Sequence, residues 1–167
     1  MRVYLPATTT VLQGLLDQGR LAGPLTVFTV TPQLRSFYEL SDGDEELEYA
    51  ALIAAARASL RLMDVDPTAA RRRVVLAADV PDASVTPIQD DAADAGAART
   101  TADVTLADVA SAHIDVADAE EDVRSAVNVV LEADLGSEDA QFVVDQAEGH
   151  ELAWYATQEI GPALELL

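Results

Sequence analysis

The side chains best suited to chemistry in this 167-residue chain are those of His113 and Asp115. The chain has two histidines, His113 and His150, and histidine titrates nearest to neutral pH. One residue separates His113 from Asp115, so a β-strand would place both on one face, where they could share a metal ion or a proton. The alternative is structural: His113 hydrogen-bonded at a strand end and Asp115 capping the next turn. His150 follows a glycine and is expected to face solvent.

A second candidate group lies at the end of an apolar run, where Asp79 and Asp82 flank Pro81. Strand ends often carry functional groups, and two carboxylates could bind a cation or act as acid and base. Asp79 with His113 and Asp115 would then form the site of a small metal-dependent, hydrolase-like enzyme. The alternative is a turn in which the Asp side chains accept hydrogen bonds from backbone amides.

Familiar catalytic motifs are absent from the sequence. It contains no glycine-rich phosphate loop, no serine flanked by glycines and no histidine pair at helical spacing. The chain has no cysteine, and all ten basic residues are arginine, which excludes thiolate, Schiff-base and Walker-type chemistry. We therefore expect a non-enzymatic protein without a cofactor, and the hydrolase-like enzyme stays the alternative.

The charge of the chain is distributed unevenly. Residues 1–73 hold nine acids and eight arginines, whereas residues 74–167 hold 21 acids and two arginines, within a total of −20. Such a field repels phosphate backbones and steers cationic partners, so we expect a basic protein as partner and no direct nucleic-acid binding. Solubility alone is the plainer explanation, and mimicry of nucleic acid is a third.

The hydrophobic pattern predicts strands and helices in the order β-α-β-α-α-β-β-α-α-β. Period-two or continuous apolar runs predict five strands, at 2–5, 25–30, 73–80, 109–114 and 152–155. Helices are predicted to start at caps near Thr8, Thr31, Ser41 or Asp42, Asp118 and Ser137. The helix at 47–63 is the longest, and 162–166 forms a closing turn.

This order favours a single α+β domain over residues 1–167, with a mixed five-stranded sheet and packed helices. The connection through 41–70 is long enough to make the second and third strands parallel, and the third and fourth could pair antiparallel. Residues 88–101 have no large apolar side chain after Ile88 and are predicted as a mobile loop within the domain.

Localisation follows from the same apolar pattern. No uninterrupted apolar run approaches the roughly 18 residues of a membrane span, and the N-terminus lacks the apolar core of a signal peptide. We therefore expect a cytoplasmic protein that does not contact a membrane.

Several segments together resemble a known family. They are the opening MRVYLPAT, the helix through Glu45 to Leu60, the segment 73–81 and the closing HELAWY at 150–155. The chain is similar to an uncharacterised family of actinobacterial proteins of about 170 residues. The resemblance covers most of the chain and is weakest over 82–101. It implies a compact bacterial protein of unknown function, with no residue role to carry over.

Overall fold

The computed structural model describes residues 1–38 and 43–167, which form a single α+β domain. Its strands are β1 Arg2–Ala7, β2 Arg20–Leu21, β3 Leu25–Phe28, β4 Val74–Asp79, β5 Val85–Pro87, β6 Ala97–Thr100, β7 Val104–Thr105, β8 Val109–Asp115 and β9 Leu152–Ala156. Its α-helices are α1 Thr9–Gln18, α2 Pro32–Phe37, α3 Asp44–Asp64, α4 Glu120–Asp134, α5 Glu138–Glu148 and α6 Ile160–Glu165.

Seven of these strands form one sheet, in the order β5-β6-β3-β1-β4-β8-β9, and its neighbouring strands are antiparallel. The prediction of a mixed, five-stranded sheet is therefore wrong in strand number and in direction, although all five predicted strands are present. β3 and β4 run in the same direction, but they are not neighbours. β1 lies between them, with Tyr4 opposite Phe28 on one side and Ala77 on the other. The antiparallel pairing of β4 with β8 is as predicted.

The two additional strands of this sheet, β5 and β6, lie beyond β3. β6 falls inside the segment 88–101, so the prediction of a loop is wrong for residues 97–100. Its sequence, AART, is short and contains two alanines, which have low β propensity, so local pattern gives no strand signal. Pairing supplies the stability instead, since Arg99 lies opposite Thr26 of β3 and Thr86 of β5.

The helices begin largely where side-chain caps predict them. The hydroxyls of three predicted caps accept hydrogen bonds from first-turn amides: Thr8, Thr31 and Ser137. Ser41 and Asp42 lie outside the described residues, and α4 begins at Glu120 after a 3-10 turn and not directly at Asp118. Among the helices of the described ranges, none is long and apolar enough to cross a bilayer.

Alternation along the strands gives the sheet two apolar faces. One face packs on α1 and α6 through Val3, Leu5, Val74, Leu76, Ile114, Leu12, Leu15 and Ile160. The other face packs on α2 and the first half of α3 through Tyr4, Phe28, Val75, Ala77, Leu34, Leu47, Ala51 and Ala55. Because successive strand residues point to opposite faces, even-numbered residues of β1, odd-numbered residues of β4 and the β8 residues Ser111, His113 and Asp115 share the α3 side.

The second half of α3 packs on the acidic helices α4 and α5. Leu60 and Met63 of α3 belong to one buried cluster with Val123, Val127, Val130 and Val144. At the edge of that cluster, Arg57 and Arg61 of α3 both reach Asp134 of α4, at 3.2 and 2.7 Å. α3 thus links the sheet to the acidic helices α4 and α5.

Candidate functional site

Asp115 is fully buried, and both its carboxylate oxygens accept hydrogen bonds from Arg73. Its Oδ1 accepts from Arg73 Nη2 and its Oδ2 from Arg73 Nε, both at 2.8 Å. Oδ2 also accepts from the Arg73 backbone amide at 2.8 Å, and Arg73 Nη2 donates to the His150 carbonyl at 2.9 Å. Both carboxylate oxygens are therefore used in joining β4 to β8, which leaves Asp115 a structural role.

Asp79 lies at the end of β4 and is exposed. Arg2 of β1 donates to both its oxygens, from Nε to Oδ1 at 2.8 Å and from Nη2 to Oδ2 at 3.1 Å. These hydrogen bonds lower the pKa of Asp79. Asp82, across Pro81, pairs with the N-terminal ammonium at 2.9 Å. The two carboxylates thus face different cations instead of each other.

His113 lies in the middle of β8, half-buried on the α3 side of the sheet. Its Nε2 is 3.2 Å from Ser111 Oγ, two residues back on the same face. Burial, and secondly the charge of Arg2, lower the pKa of His113, so its ring is neutral at pH 7. A neutral imidazole donates a hydrogen bond from one ring nitrogen and accepts one at the other, which suits ligand binding as well as a structural role.

The predicted trio of Asp79, His113 and Asp115 does not form one site. Arg2 and Arg73 hold the two carboxylates in separate ion pairs. In residues 1–38 and 43–167 there is no group of three or more His, Asp or Glu side chains that could hold a metal ion. His150, expected to be solvated, has its Nε2 2.7 Å from Asp122 Oδ2.

A more prominent feature is a groove between α2 and α3, which we call the α2–α3 groove. It has a volume of about 940 Å³. Its apolar floor consists of Leu34, Ala50, Ile53, Ala54 and Ala95. Two aromatic side chains beside the floor are largely uncovered, Phe37 with 71% and Tyr49 with 58% exposure. Thr31 at the start of α2 donates a hydrogen bond to the Ala95 carbonyl, which ties α2 to the segment before β6.

Carboxylates surround the α2–α3 groove. The acidic side chains that line it are Glu45, Glu46, Asp94 and Glu148. Its one arginine, Arg57, is already bonded to Asp134 at 3.2 Å, Gln141 at 2.9 Å and Glu148 at 3.5 Å. Burial raises the pKa of Glu148, against the opposing effect of Arg57. The groove therefore combines an apolar floor with a net negative rim.

The sequence reasoning missed this groove. The available signal was Tyr49, a large aromatic residue within a run of alanines on α3, and Phe37 at the end of a short helix. Neither residue has a partner in the local sequence pattern, and only the packing of α2 beside α3 makes them neighbours.

Fold and site define a small acidic α+β domain with a negatively rimmed apolar groove. The family model of DUF6912, described as a family of unknown function, matches residues 1–164, and the chain belongs to this family. The predicted membership of a family of unknown function and of this size is confirmed; an actinobacterial origin stays a prediction. No curated protein and no solved structure matches the chain.

Proposed function

We propose that this domain is a non-enzymatic binding module that takes a basic, amphipathic segment of a partner protein in the α2–α3 groove. The observation that carries the proposal is the pairing of an uncovered apolar floor with an acidic rim. Helical segments commonly bind such grooves through apolar residues at helical spacing. The volume of about 940 Å³ is large enough to accept more than one side chain.

The charge of the groove supports a basic partner. Of the described residues, Glu45, Glu46 and Asp94 line the groove without an ion-pair partner, whereas Glu148 pairs with Arg57, which also binds Asp134. Lysine or arginine flanking the apolar residues of a ligand would meet the rim while its apolar side chains cover Phe37 and Tyr49. The chain charge of −20 would speed the encounter of such a partner.

The proposed contact surface is the groove, whereas the charge distribution alone suggested the acid-rich residues 74–167. The acid-rich half, residues 74–167, contributes Asp94, Ala95 and Glu148, but α2 and α3 supply the rest of the floor and the exposed Phe37 and Tyr49. On this proposal the acids of α4, and those of α5 other than Glu148, act at longer range and add to solubility. The hydrolase-like alternative is not favoured, because Asp79 and Asp115 are each held by an arginine.

The experiment is a calorimetric titration of the whole chain with a synthetic amphipathic helical peptide of Leu and Lys. Phe37→Ser should weaken binding by about tenfold, the equivalent of ~1.4 kcal/mol, because it removes one uncovered aromatic contact. Phe142→Ser on α5 is the matched control: Phe142 is 66% exposed but does not line the groove.

A scrambled peptide of the same composition separates groove binding from bulk electrostatics. The proposal predicts that the scrambled peptide, which has no apolar face, binds much more weakly. Equal binding of both peptides, or equal losses for Phe37→Ser and Phe142→Ser, would overturn it.

A further inference from the structure

A second concave site lies on the opposite flank of α3, over the sheet; we call it the Trp154 pocket. Its volume is about 300 Å³. Its floor is formed by side chains of neighbouring strands that share the α3 side of the sheet: Tyr4, Ala77, Ser111, His113 and Trp154. Glu48 and Leu52 of α3 form one wall. The pocket therefore draws on four adjacent strands, of which β9 is the edge strand of the sheet, and on one helix.

Uncovered aromatic surface is the first sign of a ligand here. Trp154, the single tryptophan of the chain, is 62% exposed, although it lies directly opposite His113 in the sheet. Tyr49 stands on the helix side of the same pocket and is 58% exposed. Two large rings left open in a concavity are typical of binding sites, since they offer flat apolar faces to a bound group.

The charges around the pocket determine the kind of ligand. Arg2, which also lines the pocket, donates two hydrogen bonds to Asp79, and its charge acts as well on Glu48 and His113. Glu45 and Glu48 also line the pocket, and neither forms an ion pair with any residue in the described part of the chain. Among the described residues, the site thus offers carboxylates without a salt-bridge partner beside aromatic faces, an arrangement that attracts organic cations.

The floor also offers polar atoms at a suitable place. Ser111 Oγ and His113 Nε2 are 3.2 Å apart, and the serine oxygen has a further lone pair. Because burial keeps the His113 ring neutral at pH 7, the floor adds no competing positive charge. One N–H of a cationic ligand could therefore donate a hydrogen bond to the floor, while the other N–H groups of the same cation face Glu48.

We propose that the Trp154 pocket binds a small free organic cation, an alkylammonium or a guanidinium, against the Trp154 ring and the Glu48 carboxylate. The inference does not rest on binding in the α2–α3 groove: the two sites share Glu45 and Tyr49, but the other lining residues of the pocket are distinct from those of the groove.

Trp154 makes the test direct, because its fluorescence reports on this pocket alone. The full chain is titrated with n-butylammonium and with methylguanidinium, and n-butanol serves as the neutral counterpart. A saturable fluorescence change with at least one cation, and none with n-butanol, is expected.

Two variants of α3 make the test specific. Glu48→Gln should weaken cation binding about fivefold or more, because it removes the facing carboxylate. Asp64→Asn is the matched control on the same helix, since Asp64 is exposed and lines neither the groove nor the pocket. Its affinity should stay within about twofold of the unsubstituted chain. Far-UV circular dichroism checks that both variants are folded.

Each of three results would overturn the proposal. They are no saturable change with either cation, an equal change with n-butanol, and equal losses in Glu48→Gln and Asp64→Asn. A response to a lysine-rich peptide without any response to the free cations would also overturn it, since the pocket would then serve a peptide side chain.

Discussion

Arg73 and Asp115 form a buried two-point ion pair at the junction of β4 and β8. Their side chains are 1% and 0% exposed, and Nη2–Oδ1 and Nε–Oδ2 are both 2.8 Å. The His150 carbonyl takes a further bond from Arg73, so the pair also fixes the start of β9. Asp115, which the sequence suggested as a catalytic carboxylate, thus stabilises the fold.

Removing one partner of this pair should destabilise the fold strongly. Asp115→Asn leaves the Arg73 charge buried without a counter-charge, which costs about 3–5 kcal/mol in comparable pairs. Urea unfolding at pH 7 measures the loss. Asp79→Asn, which breaks the exposed pair with Arg2, should cost about 1 kcal/mol or less. Similar losses for the two variants would contradict the structural role of Asp115.

Asp134 should contribute stability that depends on pH. Hydrogen bonds from Arg61 and then Arg57 lower its pKa. Its folded pKa therefore lies below the unfolded value of about 3.9, so its contribution is present above about pH 4 and lost as pH falls through the folded pKa. The difference in unfolding free energy between the unsubstituted chain and Asp134→Asn should be about 1 kcal/mol or less at pH 7 and shrink in acid. Asp91→Asn, a substitution in an exposed loop, is the control for the loss of one surface charge. A free-energy difference for Asp134→Asn that stays constant with pH would contradict the prediction.

His113 should titrate below the usual value of about 6.5 in the folded protein. Burial is the main cause and Arg2 the second, so Arg2→Gln should raise the pKa of His113 partway back. Because the folded ring binds protons less readily than the unfolded one, stability should fall as pH drops below about 6.5. NMR titration of the ring protons measures the midpoint, and His113→Gln should flatten that part of the stability profile. A midpoint at or above the usual value would show that the ring is not shielded.

Strand β6 should protect its amides from hydrogen exchange. Residues 97–100 are paired with β3 on one side and β5 on the other, whereas residues 89–92 lie outside the strands. Protected amides exchange only through opening of the structure, so the strand amides that donate to the neighbouring strands should exchange far more slowly than those of 89–92. Exchange at the same rate in both segments would restore the predicted loop over all of 88–101.

Local signals predicted the elements whose patterns are self-contained. Thr8, Thr31 and Ser137 are caps because a hydroxyl at that position satisfies a first-turn amide, whatever the rest of the chain does. The five predicted strands likewise carry their own apolar pattern. β6 does not: AART becomes a strand only because β3 and β5 offer it hydrogen-bonding partners.

Sheet order and site geometry depend on contacts between distant segments, which pattern does not encode. The long connection before β4 predicted a parallel neighbour, but β1 inserts between β3 and β4. His113 and Asp115 do share a strand face, yet Arg73 binds Asp115 and leaves His113 beside Ser111. Both concave sites depend on α3 lying across the sheet, so neither Phe37 nor Trp154 could be identified as a lining residue beforehand.

The most direct test of the proposed binding module is mapping of the Leu/Lys peptide by amide chemical shifts in a two-dimensional NMR titration of the whole chain. The account predicts the largest shifts at the groove floor, at Leu34, Ala50, Ile53 and Ala54, with small and diffuse changes over α4 and α5. Largest shifts over the acidic helices, with the groove unchanged, would contradict it and would assign binding to the bulk charge of residues 74–167.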